Sequence, residues 1–324
     1  VQLEILGLGR MGLPIARHLR AAGHEVVGRD LDPARVSLFE DASVAARHAG
    51  GAGRTVDALL TVLPGPAELR RAMLGPEVPD AYSDDAGDAG REEGVVDRSP
   101  AGGALAGLRT GALWVDLTSG DPRVARELAA NAAAQGVAAV GAPMAGGPRD
   151  AEQGTLGFFA RRRTPRRSSA RSRLLRTLGD AARIERAGDD VGAGHVAKLL
   201  ANTLWFGQVA AVTEALLIGH AQGLEIEQLA GILRRSAGGS AFIDRHLDAL
   251  LDGDYLESFG IDRVVEELDT VAALASEAGL PAPLANLVAA LHREALERFG
   301  PVGGELLVAK LLEERVGTRI RRPR

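Results

Sequence analysis

The chain has 324 residues, 46% of them apolar and 25% charged, with a net charge of −5; this length suggests about two domains, each with its own core. Such a charge gives no global attraction to nucleic acid or an anionic membrane, so neither is expected as a partner. Cysteine is absent, which removes disulfides, thiol nucleophiles and thiolate ligands, and the seven histidines show no metal-ligand spacing, so no metal is expected.

The opening VQLEILGLG reads as a strand entering a glycine turn, not as a signal peptide, and a cytoplasmic protein is the default. MGLPIARHLRAAG reads as a helix closed by Gly23, EVVGRD as the next strand, VDALLTVLPG as a third, and GALWVDLTSG as a fourth. Asp121-Pro122 supplies an N-cap and a first-turn proline to the helix RVARELAANAAAQG, which leads to the strand VAAVGAP. This alternation predicts a parallel sheet with crossover helices. Two segments interrupt it. Residues 76–104, rich in Gly, Asp, Glu and Pro, read as an exposed or disordered loop. Residues 161–176 form a dense arginine run that reads as a solvated turn and helix face, with no aromatic residues interleaved to stack on bases.

From about Asp190 the strands stop, and helical patterns follow at 192–222, 225–237, 241–252, 262–278, 282–298 and 303–316. The apolar stretch from Val196 to Ile218 is interrupted by Lys198, Asn202, Gln208 and Glu214, so it reads as a buried helix rather than a membrane span.

Within GLGRMG, Gly7, Gly9 and Gly12 have the GxGxxG spacing, directly after the first strand and at the start of a helix. The first glycine permits a tight turn, the second lets backbone approach a pyrophosphate, and the third lets helix and strand pack closely. Asp30 ends the second strand, where it can accept the ribose hydroxyls of NAD and repel a 2′-phosphate. Leu31 follows it, and Arg29 on the other side could partly undo that preference, so NAD is favoured and NADP remains open. The expected fold is an α/β Rossmann domain over 1–190 that binds a dinucleotide, then an all-α domain for substrate and dimerisation over 191–324.

Four motifs, in order, resemble those of the β-hydroxyacid dehydrogenase family: GLGRMG, VDLTSGDP, GAPMAGGPRDAEQGTL, and the helix beginning GAGHVAKLLANTL. The resemblance implies an NAD(P)-dependent oxidoreductase that interconverts a small β-hydroxy acid and its semialdehyde. It places the cofactor against Gly7, Gly9, Arg10, Met11, Gly12, Asp30, Leu63 and Pro64. It places the substrate against Thr118, Gly146, Gly147 and Asn202, with Lys198 as the proton carrier. Chemistry agrees with that last assignment. Lys198 is one of only two lysines, the other being Lys310; it is expected to be enclosed by the apolar Val196, Leu199 and Leu200, and its ammonium can release a proton where arginine could not. Family members pair as dimers, sometimes tetramers, so a homodimer or homotetramer is implied.

The sequence departs from the pattern at three places. Ala145 stands for the serine of the substrate loop, Glu266-Glu267 for a Lys-Asp pair, and Arg161-Arg162 for a Gly-Gly. These departures leave the substrate unnamed and keep two alternatives open: an imine reductase-like enzyme, against which Lys198 argues, and a cofactor-binding sensor or scaffold without turnover.

Overall fold

A computed structural model describes residues 1–39, 56–75, 103–161 and 174–322. The loop expected over 76–104 and the arginine run over 161–176 fall almost wholly outside the described residues.

The chain divides into two compact units, Val1–Lys198 and Leu199–Arg324. The first holds a five-stranded parallel sheet of β1 (Gln2–Leu6), β2 (Glu25–Arg29), β3 (Ala58–Thr61), β4 (Leu113–Asp116) and β5 (Ala138–Gly141). Their order is β2-β1-β3-β4-β5, every pairing being parallel. Helices cover both faces, which is why the strands read as continuous apolar runs. Leu3, Ile5 and Val26 pack with Ile15, Ala16 and Leu19 of α1 (Gly12–Ala21). On the other face Leu59 and Trp114 meet Leu69 and Met73 of the helix Pro66–Leu74 and Val124 and Leu128 of the helix Pro122–Ala134. Asp121 caps the latter helix by accepting from the Arg123 N–H at 2.7 Å, as its sequence predicts.

A second sheet was not legible in the sequence. Met144–Ala145 pairs antiparallel with Leu156–Arg161, which pairs in parallel with Gly179–Gly188. The last of these strands is half exposed and carries GDAARIERAG. It has no apolar alternation, and its strand character comes from non-local pairing.

The second unit is helical. The long helix Ala193–Ala221 begins in the first unit and supplies Phe206, Val209, Ala210, Val212 and Leu216 to the cores of the second. By length and composition alone it could cross a membrane. After it come Ile226–Arg234, Ala241–Arg245, Leu247–Asp252, Ile261–Glu277, Pro283–Phe299 and Leu307–Val316. The single helix expected over 241–252 is two, because the backbone at His246 leaves the helical region at φ −129°. The division between units also falls inside the long helix instead of at residue 190. Its first turn is seated on the sheet unit: a Cβ on Gly194 would stand 2.2 Å from the Phe159 carbonyl oxygen.

Candidate active site

In this strand order, connections leave β1 and β3 in opposite directions and open a crevice beyond their carboxyl ends. The glycine turn lies there. Gly7 has φ +95°, and a Cβ on it would stand 2.1 Å from the Val62 carbonyl oxygen. A Cβ on Gly12 would stand 1.9 Å from the Gly7 carbonyl oxygen. Gly9, in contrast, faces open space. So Gly7 and Gly12 are required by packing within the chain, while Gly9 leaves room for something outside it. Met11 caps α1 without a side-chain hydrogen bond, and Arg10 is exposed. The Leu13 N–H already donates to the Gly9 carbonyl oxygen at 3.1 Å and Pro14 has no N–H, so it is the turn around Gly9, at the positive end of the helix, that fits the pyrophosphate of a dinucleotide.

At the end of β2, Asp30 Oδ2 accepts from the Leu8 N–H at 2.7 Å and Oδ1 from the Asp32 N–H at 3.0 Å. Oδ2 keeps a lone pair for a ribose hydroxyl, while Oδ1 also faces the Arg35 guanidinium at 3.6 Å. Arg29 is held on the sheet by an ion pair with Glu4, a carboxylate buried within β1. That pairing turns Arg29 away from a 2′-phosphate, while Arg35 stays at ion-pair distance from Asp30.

The ends of β3 and β4 are joined by a buried polar network. Asp116 Oδ1 accepts from the Thr61 hydroxyl at 2.8 Å and from the Thr118 N–H at 3.1 Å. The Trp114 indole N–H donates to Thr61 Oγ1 at 3.1 Å, and the Leu63 N–H donates to Thr118 Oγ1 at 3.2 Å. Thus Leu63, before the exposed Pro64, and the buried Thr118 are tied together. The other oxygen of Asp116 lies 3.4 Å from Nε2 of His195, on the first turn of the long helix. Burial raises the Asp116 carboxyl, opposed by His195, Thr61 and Thr118. Burial also lowers His195, opposed chiefly by Asp116. Sequence reasoning missed both residues, although each sits inside a motif that it singled out.

Lys198 lies on the same helix, one turn beyond His195, and is half-buried. Leu199 turns into the core, but Leu200 is 50% exposed. The apolar enclosure expected from Val196, Leu199 and Leu200 is therefore incomplete within the chain, because successive helical residues point about 100° apart.

In the loop after β5, Gly146 has φ +118°, and the Gly147 N–H donates to Asp150 Oδ2 at 3.0 Å. The backbone donor expected of Gly147 is therefore engaged within the chain. Burial raises Asp150, but the Gly147 N–H and Arg183 outweigh it and hold the carboxyl below its usual range. In the helical unit, Asn202 Nδ2 donates to the buried Glu267 at 2.5 Å, leaving the amide oxygen to accept from a ligand.

Comparison with known proteins follows this geometry. Residues 2–85 and 91–177 match the family described as the NAD-binding domain of 6-phosphogluconate dehydrogenase. Residues 192–312 match that described as NAD-binding of NADP-dependent 3-hydroxyisobutyrate dehydrogenase. The chain belongs to the β-hydroxyacid dehydrogenase family. It is 30% identical over 305 residues to the NAD-dependent L-serine dehydrogenase of Pseudomonas aeruginosa, covering 92% of this chain and 93% of that one. With the L-threonate dehydrogenase of Cupriavidus necator it shares 27% over 292 residues, 90% and 88% of the two chains. The 3-hydroxyisobutyrate dehydrogenase of Mycobacterium tuberculosis, solved with L-serine, has the same fold. Its TM-score is 0.72 at 24% identity, covering 96% of this chain and 98% of the other. An imine reductase of Streptomyces aurantiacus aligns less well, with a TM-score of 0.52 at 17% identity, over 96% and 99%.

As a β-hydroxyacid dehydrogenase, the protein is an NAD(P)-dependent oxidoreductase. The departures from the family pattern take concrete form. Ala145 lies in the short strand Met144–Ala145 and offers no hydroxyl. Glu266 is bound by Arg263 Nη1 at 2.9 Å, so the anion is countered by a cation three residues back on the same helix. Arg162 lies outside the described residues, as does the side chain of Arg161. Trp205 and Phe206 are core residues: Trp205 makes edge contacts with Phe206, Phe242 and His246.

Proposed function

We propose that this protein oxidises the hydroxyl-bearing carbon of a small β-hydroxy acid to the semialdehyde, and reduces it in reverse, with NAD as the preferred cofactor. One observation carries the reading. The glycine turn, the Leu63–Thr118 tie and the helix turn bearing Lys198 all belong to one compact unit, with the last two joined through Asp116.

When bound, the nicotinamide supplies the carbon that accepts or returns the hydride. Arg10, Met11 and Gly12 hold the pyrophosphate at the helix N-terminus, and Asp30 accepts from the ribose hydroxyls. Leu63 and Pro64 lie against the nicotinamide end. Thr118 and the loop at Gly146, whose neighbour Gly147 keeps its N–H on Asp150, receive the substrate carboxylate, and the family resemblance assigns Asn202 to positioning the substrate. The Lys198 amine takes the hydroxyl proton as the hydride leaves carbon, and its ammonium returns that proton in reduction. Asp30 and the capture of Arg29 by Glu4 support NAD over NADP.

The test is Lys198→Ala. Turnover on a panel of L-serine, L-threonate and 3-hydroxyisobutyrate should fall by roughly 10²–10⁴-fold. Calorimetry should give an unchanged Kd for NAD⁺, and a weaker one for NADP⁺. Persistence of turnover would remove Lys198 from the chemistry. Cofactor binding without turnover in the wild-type protein would favour a sensor or scaffold.

We also propose a cytoplasmic homodimer or homotetramer. In its support, Leu200 and Leu204 are 50% and 63% exposed, one turn apart on the long helix. A monomer by light scattering at micromolar concentration would overturn this.

A further inference from the structure

The pair His195–Asp116 is not explained by packing. Both side chains are 1% exposed. Asp116 Oδ1 is satisfied by Thr61 and Thr118. Among the described residues, however, Asp116 Oδ2 and both ring nitrogens of His195 lack a hydrogen-bond partner. Each residue is what the other has within reach, at 3.4 Å. A pair with no task would be replaced at little cost by two apolar side chains of similar shape.

The surroundings are shaped to admit the ring. A Cβ on Gly141, at the end of β5, would stand 2.9 Å from His195 Nε2 and 2.3 Å from the Val191 carbonyl oxygen. The helix start is pressed onto the second sheet through Gly194. With no side chains at 141 and 194, backbone contact sets how close the helix comes, but contact alone leaves its rotation free. A directional bond from a ring on the first turn to a fixed carboxylate removes that freedom. The carboxylate is fixed by the very residues, Thr61 and Thr118, that set the edge of β3 and β4.

We propose that His195 is a positioning residue: through Asp116 it locks the first turn of the long helix to the sheet edge, and so sets where Lys198 stands relative to Thr118. Nε2, 3.4 Å from Oδ2, is the nitrogen placed to donate to the carboxylate, the ring remaining neutral. One carboxylate then holds the loop of Leu63, the backbone of Thr118 and the helix turn of Lys198 in register. This inference rests on the assignment of Lys198 as the proton carrier.

The experiment compares His195→Leu with His195→Gln, which keeps a donor. His195→Leu should lower kcat about ten- to a hundredfold, since small misplacements of reacting groups cost that much, while the Kd for NAD⁺ stays unchanged. His195→Gln should recover most of the loss. A second readout needs neither turnover nor cofactor. The chain has two lysines, so acetic anhydride labelling read by peptide mass spectrometry gives the reactivity of Lys198 against Lys310 as internal reference. That ratio should change severalfold in His195→Leu and return towards wild type in His195→Gln. A lowered Tm with both kcat and the labelling ratio unchanged would overturn the inference and leave the pair a stabilising contact. If the wild-type protein oxidised no hydroxy acid, the functional reading would fail, and the labelling ratio would still decide the positioning.

Discussion

The two units treat a buried histidine in opposite ways. In the sheet unit, His195 faces a carboxylate at the carboxyl end of the parallel strands, where the crevice lies. In the helical unit, His292 is completely buried, its Nδ1 donates to the Val288 carbonyl of its own helix at 2.8 Å, and Nε2 has no partner among the described residues. Its ring packs against Phe206 with centroids 5.5 Å apart. Burial lowers both histidines, and takes His292 down to about 4. The shift alone does not tell a working residue from a core one. What separates them is the partner: His195 is joined to a network that reaches three segments of the candidate site, and His292 only to its own helix.

Asp116→Ala should break that contrast most severely. It leaves the Thr61 hydroxyl and the Thr118 N–H without their shared acceptor and the His195 ring without the carboxylate that it faces, at a cost of about 3–5 kcal/mol. Denaturant unfolding measures this; a loss below about 1 kcal/mol would mean that the network is slack.

His292 sharpens the contrast through pH. Its folded pKa lies below the ordinary value of 6.5. The unfolded chain therefore takes up a proton at this site first as the solution is acidified. Stability is fully present above about pH 6.5 and is lost as the pH falls towards 4, by about 3 kcal/mol. In His292→Leu that part of the acid dependence should vanish, as read from unfolding curves between pH 7 and 4. The smallest expected effect is that of the same substitution at pH 7, on the order of 1 kcal/mol or less. An equally steep acid loss in His292→Leu would move its source to another group.

The strands and helices of the first unit were legible because each apolar run is bounded by Gly, Pro or Asp with a local meaning. Asp121-Pro122 begins a helix where it stands, and the conflicts around Gly7 and Gly12 are visible in the spacing of GLGRMG. The glycine turn, Asp30 and Lys198 could be named for the same reason, since their chemistry is local to a strand end or a helix turn. The strand Gly179–Gly188 could not, because its charged, half-exposed sequence is held by pairing with a neighbour from elsewhere in the chain. Nor could the partners of Arg29, Gly147 and Asn202. Glu4, Asp150 and Glu267 carry no signal that links them to those residues.

Sequence alone determined the order of the elements in the parallel sheet and the nucleotide turn, and it singled out the lysine proposed to give up a proton, since backbone preference, periodicity and side-chain chemistry are properties of short segments. Tertiary structure decided which groups are already engaged. It turned Arg29 towards Glu4, engaged the Gly147 N–H with Asp150, and brought His195 to Asp116. The physical reason is that a hydrogen bond or ion pair depends on distance and direction. For residues far apart in sequence, only the folded chain sets them.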